Sequence, residues 1–342
     1  MSGIKPGGSL QISAALEQVI REIEGVLKGL KRGTYTDGPI YAVDVGTVSI
    51  FQINGIRTNA ANVGQYPPAG QQFSLLQGPV DVFYCISDGG IYVLDSQLGQ
   101  LLKFNTLGDI TAGTPANNGW WGGPPGAGAQ QFTQPGSVIV DSALNKYVAD
   151  SGNNRIQWID PNNNWTALYG PAGNQNYLSA PCGLAMDSSG NLIVADTNNG
   201  RLVGIEDSSG ANPTWHVCAG PPNKTDSFQY PSQVAVDPSS GAIYVVDSYE
   251  SAVETPGGSP KKGQKPTRLI KMDDFTGAGW TVNQQITNNA WGVAGGATGL
   301  IYVTQGSDIL MFNGIGDQNP AAFAVPGAVE LTGISVPIFF AS

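Results

Sequence analysis

Charge is scarce in this sequence. Only 12% of its 342 residues are Asp, Glu, Lys or Arg, about half of the ~25% usual in soluble domains. Its 16 Lys and Arg are outnumbered by 26 Asp and Glu, for a net charge of -10. A nucleic-acid face needs clustered basic side chains to neutralise phosphates, so no nucleic-acid partner is expected. Histidine occurs once, as His216. That leaves no His-rich metal site and no imidazole base unless His216 itself serves. The three cysteines, Cys85, Cys182 and Cys218, are too few and too scattered for a disulfide framework or a zinc site. They read as small buried hydrophobes. No apolar run is long enough to span a bilayer. The start lacks a basic segment followed by an apolar core, so neither membrane insertion nor a secretion signal is expected. The protein is read as cytoplasmic, or as part of a virion if viral.

Glycine (47) and proline (23) are abundant, and 41% of residues are hydrophobic. That mixture fits many short strands joined by tight turns rather than disorder. The clearest pattern is a repeat. Pro135, Asp141, Asp150 and Arg155 recur as Pro181, Asp187, Asp196 and Arg201, each 46 residues later. An apolar strand ending in aspartate marks five units, at Asp44, Asp95, Asp150, Asp196 and Asp247, and a sixth copy ends in Gln305. Their spacing suits four-stranded propeller blades. Blade one lacks an inner strand before Asp44. Gly333-Ile334-Ser335-Val336 has the pattern of Gly183-Leu184-Ala185-Met186, so the C-terminal strand is expected to return to blade one and close a six-bladed ring.

Residues 1–33 follow another rule. Ile12, Leu16, Val19, Ile23, Val26 and Leu30 are spaced four and three apart, a heptad seam. The spacing predicts an amphipathic helix that anchors the 34–342 propeller to copies of itself or to a larger assembly.

The consensus carried by Pro181 to Leu202 and by Pro135 to Ile156 resembles the NHL repeat, with Pro231 to Asp247 close behind. The resemblance implies an all-β, six-bladed propeller, and implies structural roles for Asp150, Asp196, Asp247, Arg155 and Arg201. Enzymes resembling this family, amidating lyases, streptogramin lyases and lactonases, place a metal or a His/Glu/Asp cluster at the axis. The residues aligned at that level here are Asp81, Ser137, Gly183, Gln233, Gly292 and Gly333. One carboxylate in six is not a metal cage. No catalytic residue, metal or cofactor is therefore expected, and the protein is read as not an enzyme.

Two insertions break the repeat. Residues 105–131 place Trp120 and Trp121 on a Gly/Pro-rich loop, where they either tuck against the propeller rim or form an aromatic contact for a cell-surface receptor or glycan. Residues 248–267 bring Lys261, Lys262 and Lys265 together in an otherwise acidic chain, a docking contact for an acidic neighbour. Helix anchor, charge-poor surface and missing catalytic set point to a non-enzymatic structural or interaction subunit, in its most concrete form a bacteriophage capsid or tail component. The alternatives are a cellular NHL-type scaffold for protein partners, a propeller lyase or lactonase, and a carbohydrate binder.

Overall fold

Each of the apolar strands that end in aspartate is wholly buried, because neighbouring sheets cover both of its faces. Ile40–Asp44, Gly90–Asp95, Lys146–Asp150, Leu192–Asp196 and Ile243–Ser248 expose none of their residues. The computed structural model describes residues 35–56, 62–66, 75–107, 109, 119–209, 213–223, 226–248, 267–287, 290–296, 299–336 and 338–340. These form an all-β ring of six four-stranded sheets, each a simple antiparallel meander from the axis outwards. The inner strands are Leu331–Ser335, Pro79–Cys85, Ser137–Val140, Pro181–Met186, Tyr230–Val236 and Ala290–Gly295 for blades one to six. Consecutive inner strands touch all the way round.

Blade one is composite. Leu331–Ser335 pairs antiparallel with Ile40–Asp44, placing Tyr41 opposite Ser335 and Asp44 opposite Leu331. A small outer pair, Tyr35–Asp37 with Ile338–Phe340, lies beside it in sequence. The heptad seam of Ile12, Leu16, Val19, Ile23, Val26 and Leu30 lies outside the described residues, as do Lys261, Lys262 and Lys265.

The aspartate ending each second strand has one recurring task. Its carboxylate accepts backbone N–H groups from the segment that leads into its own blade's inner strand. Asp95 accepts from Gln77 and Gly78 at 2.6 and 3.0 Å, Asp150 from Thr133 at 2.7 Å, and Asp196 from Ser179 at 2.7 Å. Asp247 accepts from Gln229 and Tyr230, both at 2.9 Å. In blade six Gln305 Oε1 takes the N–H of Thr287 at 2.6 Å, so an amide oxygen performs the same job. An arginine at the start of the third strand completes the lock from within the blade, Arg155 on Asp150 and Arg201 on Asp196, both at 2.7 Å. Arg268 supplies it to Asp247 at 3.0 Å from Nε, in the same strand register despite the longer separation.

Aromatic pairs pin the outer edge. The aromatic preceding an inner strand packs on a tryptophan at the outermost strand of the same blade. The pairs are Phe132 with Trp165, Tyr177 with Trp215 and Phe228 with Trp280, with ring centroids 5.4, 5.5 and 4.8 Å apart. Such pairs add about 0.5–1.5 kcal/mol beyond the area they bury.

Removing the cation of a buried lock leaves its carboxylate uncompensated. The side chain of Arg155 is 4% exposed and that of Arg201 20%. Arg155→Ala is expected to cost about 3–5 kcal/mol, and Arg201→Ala clearly less, read from urea denaturation midpoints. Equal losses would mean that the lock is not burial-dependent.

Candidate functional site

The inner strands bring one layer of side chains to the axis, and the layer is asymmetric. Asp81, Ser137, Gln233 and Gly292 line an inner cavity of about 240 Å³. The two larger polar residues each lie against a glycine of the preceding blade. A Cβ on Gly333 would fall 2.5 Å from Asp81 Oδ1, and one on Gly183 would fall 2.6 Å from the Gln233 Cα. Any side chain at either glycine would push the axial residue aside. Asp81 belongs to blade two and Gln233 to blade five, which stand opposite each other in a six-membered ring.

Asp81 is 6% exposed. Its Oδ2 accepts the Val138 N–H of blade three and its Oδ1 accepts its neighbour Val82 N–H, both at 2.9 Å. Burial nonetheless pushes its carboxyl up to about 7, against the opposing pull of the Val138 N–H, the Ser137 hydroxyl and the Val82 N–H. A buried carboxyl that exchanges its proton near neutrality, set in a cavity, marks a candidate functional group.

Above this layer, at the starts of the inner strands, the passage widens into a mouth of about 430 Å³. Gln233 lines both compartments. Val45, Val80, Pro135 and Trp291 supply apolar wall, and Ser96, Ser151, Ser232, Thr332 and Glu330 supply polar groups. Two wall residues carry buried polar atoms with no hydrogen-bond partner among the described residues, Trp291 Nε1 and Thr332 Oγ1. Buried donors and acceptors are nearly always paired, so such orphans mark a place where water or a ligand completes the structure. Cys182 also lines the mouth, but burial and the charge of Asp81 push its thiol up to about 12, far from a reactive thiolate.

The two predicted binding tryptophans fall elsewhere. Trp120 and Trp121 are not on a loop but in Trp120–Gly122, the outermost strand of blade two. Strand alternation sends them to opposite faces. Trp120 is 62% exposed, whereas Trp121 is buried. Trp121 donates from Nε1 to Asn163 Oδ1 at 2.8 Å and lies under the Lys146 ammonium. Trp121 thus joins blade two to blade three, and of the two rings Trp120 is the exposed one. His216 sits in Thr214–Cys218, the outermost strand of blade four, with Nε2 3.0 Å from Glu206 Oε1. Cys85, Cys182 and Cys218 are unbridged. Among the described residues no group of three or more His, Cys, Asp or Glu side chains is placed to hold a metal ion, and no helix is long and apolar enough to cross a membrane. Sequence reasoning reached Asp81 and Gln233 but missed Trp291, Thr332 and Glu330. Their blades are the ones in which the repeat motif is most degraded.

The strand order and the Asp–Arg lock of blade four complete the evidence on family. Residues 178–205 match the NHL repeat. The chain therefore carries an NHL repeat within a six-bladed propeller. No curated protein matches the sequence. Among solved structures, a functionally unknown protein from Desulfotomaculum acetoxidans is 11% identical with a TM-score of 0.51, over 87% of this chain and 84% of its own. A virginiamycin B lyase from Staphylococcus aureus is 13% identical, TM-score 0.49, over 75% of this chain and 73% of its own. A streptogramin B lyase is 12% identical, TM-score 0.47, over 75% and 86%. The expectation of a non-enzymatic bacteriophage component is overturned here: the named neighbours of this fold are lyase propellers, and nothing found supports a phage role. At such identities the likeness shows the fold and transfers no activity.

Two predictions follow from this geometry. The folded pKa of Asp81 lies above its unfolded value, so the folded state holds the extra proton and stability falls as pH rises from about 4 through about 7. Asp81→Asn should flatten that segment of the stability–pH curve, whatever its absolute stability; an unchanged slope would remove Asp81 as its source. On blade two, Trp121→Ala should cost about 3–5 kcal/mol, and Trp120→Ala about 0.5 kcal/mol or less, by chemical denaturation.

Proposed function

We propose that this protein handles a small polar molecule in the axial mouth. The observation that carries the reading is a cavity lined by residues of all six blades, two of which, Trp291 and Thr332, hold a buried polar atom without a partner among the described residues. A cavity of about 430 Å³ within a rigid ring, with apolar walls and a few convergent polar groups, has the character of a small-ligand site. Rigidity suits binding, because the ring loses little freedom when the ligand enters.

Asp81 favours a second reading, proton-transfer catalysis at the same site. It lies beneath the mouth, on the cavity that shares Gln233 with it, and its carboxyl exchanges its proton near pH 7. Such a group serves equally as donor or acceptor at neutral pH. The two readings share the site and differ only in whether the bound molecule leaves changed.

Gln134 stands exposed on the rim, outside the core. Gln134→Trp should cap the mouth with little effect on melting temperature and weaken small-ligand binding at least ten-fold in a fragment screen by NMR. Fragments that bind both proteins equally would place the site elsewhere. Mass-spectrometric analysis of the bound fraction then separates binding from turnover, since turnover should be lost in Asp81→Asn.

A further inference from the structure

We infer that the axial mouth selects an organic ammonium, a molecule presenting a protonated amine together with a hydrogen-bond acceptor. This inference rests on the axial-mouth reading above and specifies its ligand.

The argument starts from the hydroxyl hydrogens. Ser96 Oγ donates to the Gly78 carbonyl at 3.2 Å, Ser151 Oγ to the Pro181 carbonyl at 2.5 Å, and Ser232 Oγ to the Val246 carbonyl at 3.1 Å. A carbonyl can only accept, so each serine spends its single hydrogen on the backbone. What each has left is lone pairs. All three serines line the mouth, in three different blades; Ser96 is partly exposed, and Ser151 and Ser232 are buried in its wall. The accessible serine oxygen of the mouth, that of Ser96, is therefore an acceptor.

Among the described residues, its only formally charged lining residue is Glu330. The backbone N–H of Glu330 is taken by Asp44 Oδ2 at 3.0 Å, which fixes the main chain at the rim. Among the described residues no cation pairs with the Glu330 carboxylate. An ammonium offers three donors and no acceptor, the complement of serine lone pairs and a carboxylate. Trp291 adds an aromatic wall, which attracts a cation through its ring face. Its Nε1–H is buried and has no partner among the described residues, so an acceptor on the ligand that reached it would complete it. A carboxylate or phosphate ligand would meet Glu330 and the Ser96 lone pairs, with no cationic side chain among the described lining residues to offset them. The protein's net charge of -10 also draws cations and repels anions.

The test uses the full chain and three probes of similar size: Nα-acetyllysine amide (cationic), Nα-acetylnorleucine amide (neutral) and Nα-acetylglutamate amide (anionic). Affinity is read by calorimetry. The Trp291 indole N–H is followed by NMR, its signal assigned from Trp291→Phe. The cationic probe should bind at least ten-fold tighter than the other two and shift the Trp291 signal. Glu330→Gln should abolish that preference while leaving the melting temperature in place. Equal binding of all three probes, or a preference that survives Glu330→Gln, would overturn the ammonium assignment and leave the mouth as a site. If no probe binds and the Trp291 signal stays still, the mouth itself is not a ligand site and both readings fall.

Discussion

Everything in this propeller depends on a side-chain oxygen held at the end of each second strand, a carboxylate in five blades and the Gln305 amide in the sixth. The chain must enter every blade from the rim, turn at the axis and start an inner strand, and that turn leaves backbone N–H groups without sheet partners. An aspartate from the adjacent strand takes them. Unpaired, each buried N–H would cost about 1–3 kcal/mol, so the aspartate is a condition for the blade rather than an ornament on it. The arginine of the third strand then neutralises the buried charge. Where blade two has Gln100 in place of arginine, Asp95 instead accepts four backbone N–H groups, from Gln77, Gly78, Gln97 and Leu98. Hydrogen bonds and a counter-ion are interchangeable means of stabilising the same anion.

How much of this was legible in the sequence follows from the same chemistry. A lock that recurs with an aspartate in five of six blades leaves the same letter at each strand end, so the aspartates, the blade count and the Asp81–Gln233 axial layer could be read directly. Arg268 was harder to recognise as a lock residue, because 249–266 separate it from Asp247 while strand register brings them together. Trp120 and Trp121 were misread for another reason. Gly and Pro around them suggested a loop, yet pairing with Leu102 and Leu101 makes them a strand. The mouth was invisible. Trp291, Glu330 and Thr332 come from the inner-strand regions of blades six and one, and nothing in their sequence order announces that they meet at one cavity.

The axial passage shows how a repeat can vary at its centre without breaking its frame. The blades supply similar backbones, and the axial layer takes its character from what differs at equivalent positions. Glycine at 183 and 333 makes room for Gln233 and Asp81 in the next blade. The serines that follow Asp95 and Asp150 bond to the lead-in or inner strand of a blade, so their hydrogens are committed to the frame.

The composite blade has a consequence for synthesis. Asp44 accepts N–H groups from Val329 and Glu330, and Ile40–Asp44 finds its inner partner only in Leu331–Ser335. A chain emerging in order can complete blades two to six one at a time, since each is contiguous. Throughout that period Ile40–Asp44 presents an unpaired, wholly apolar-flanked strand edge, the feature most prone to pairing with another chain. The ring is thus most exposed to misassembly just before it closes, and the segment that ends the exposure is made only after blades two to six.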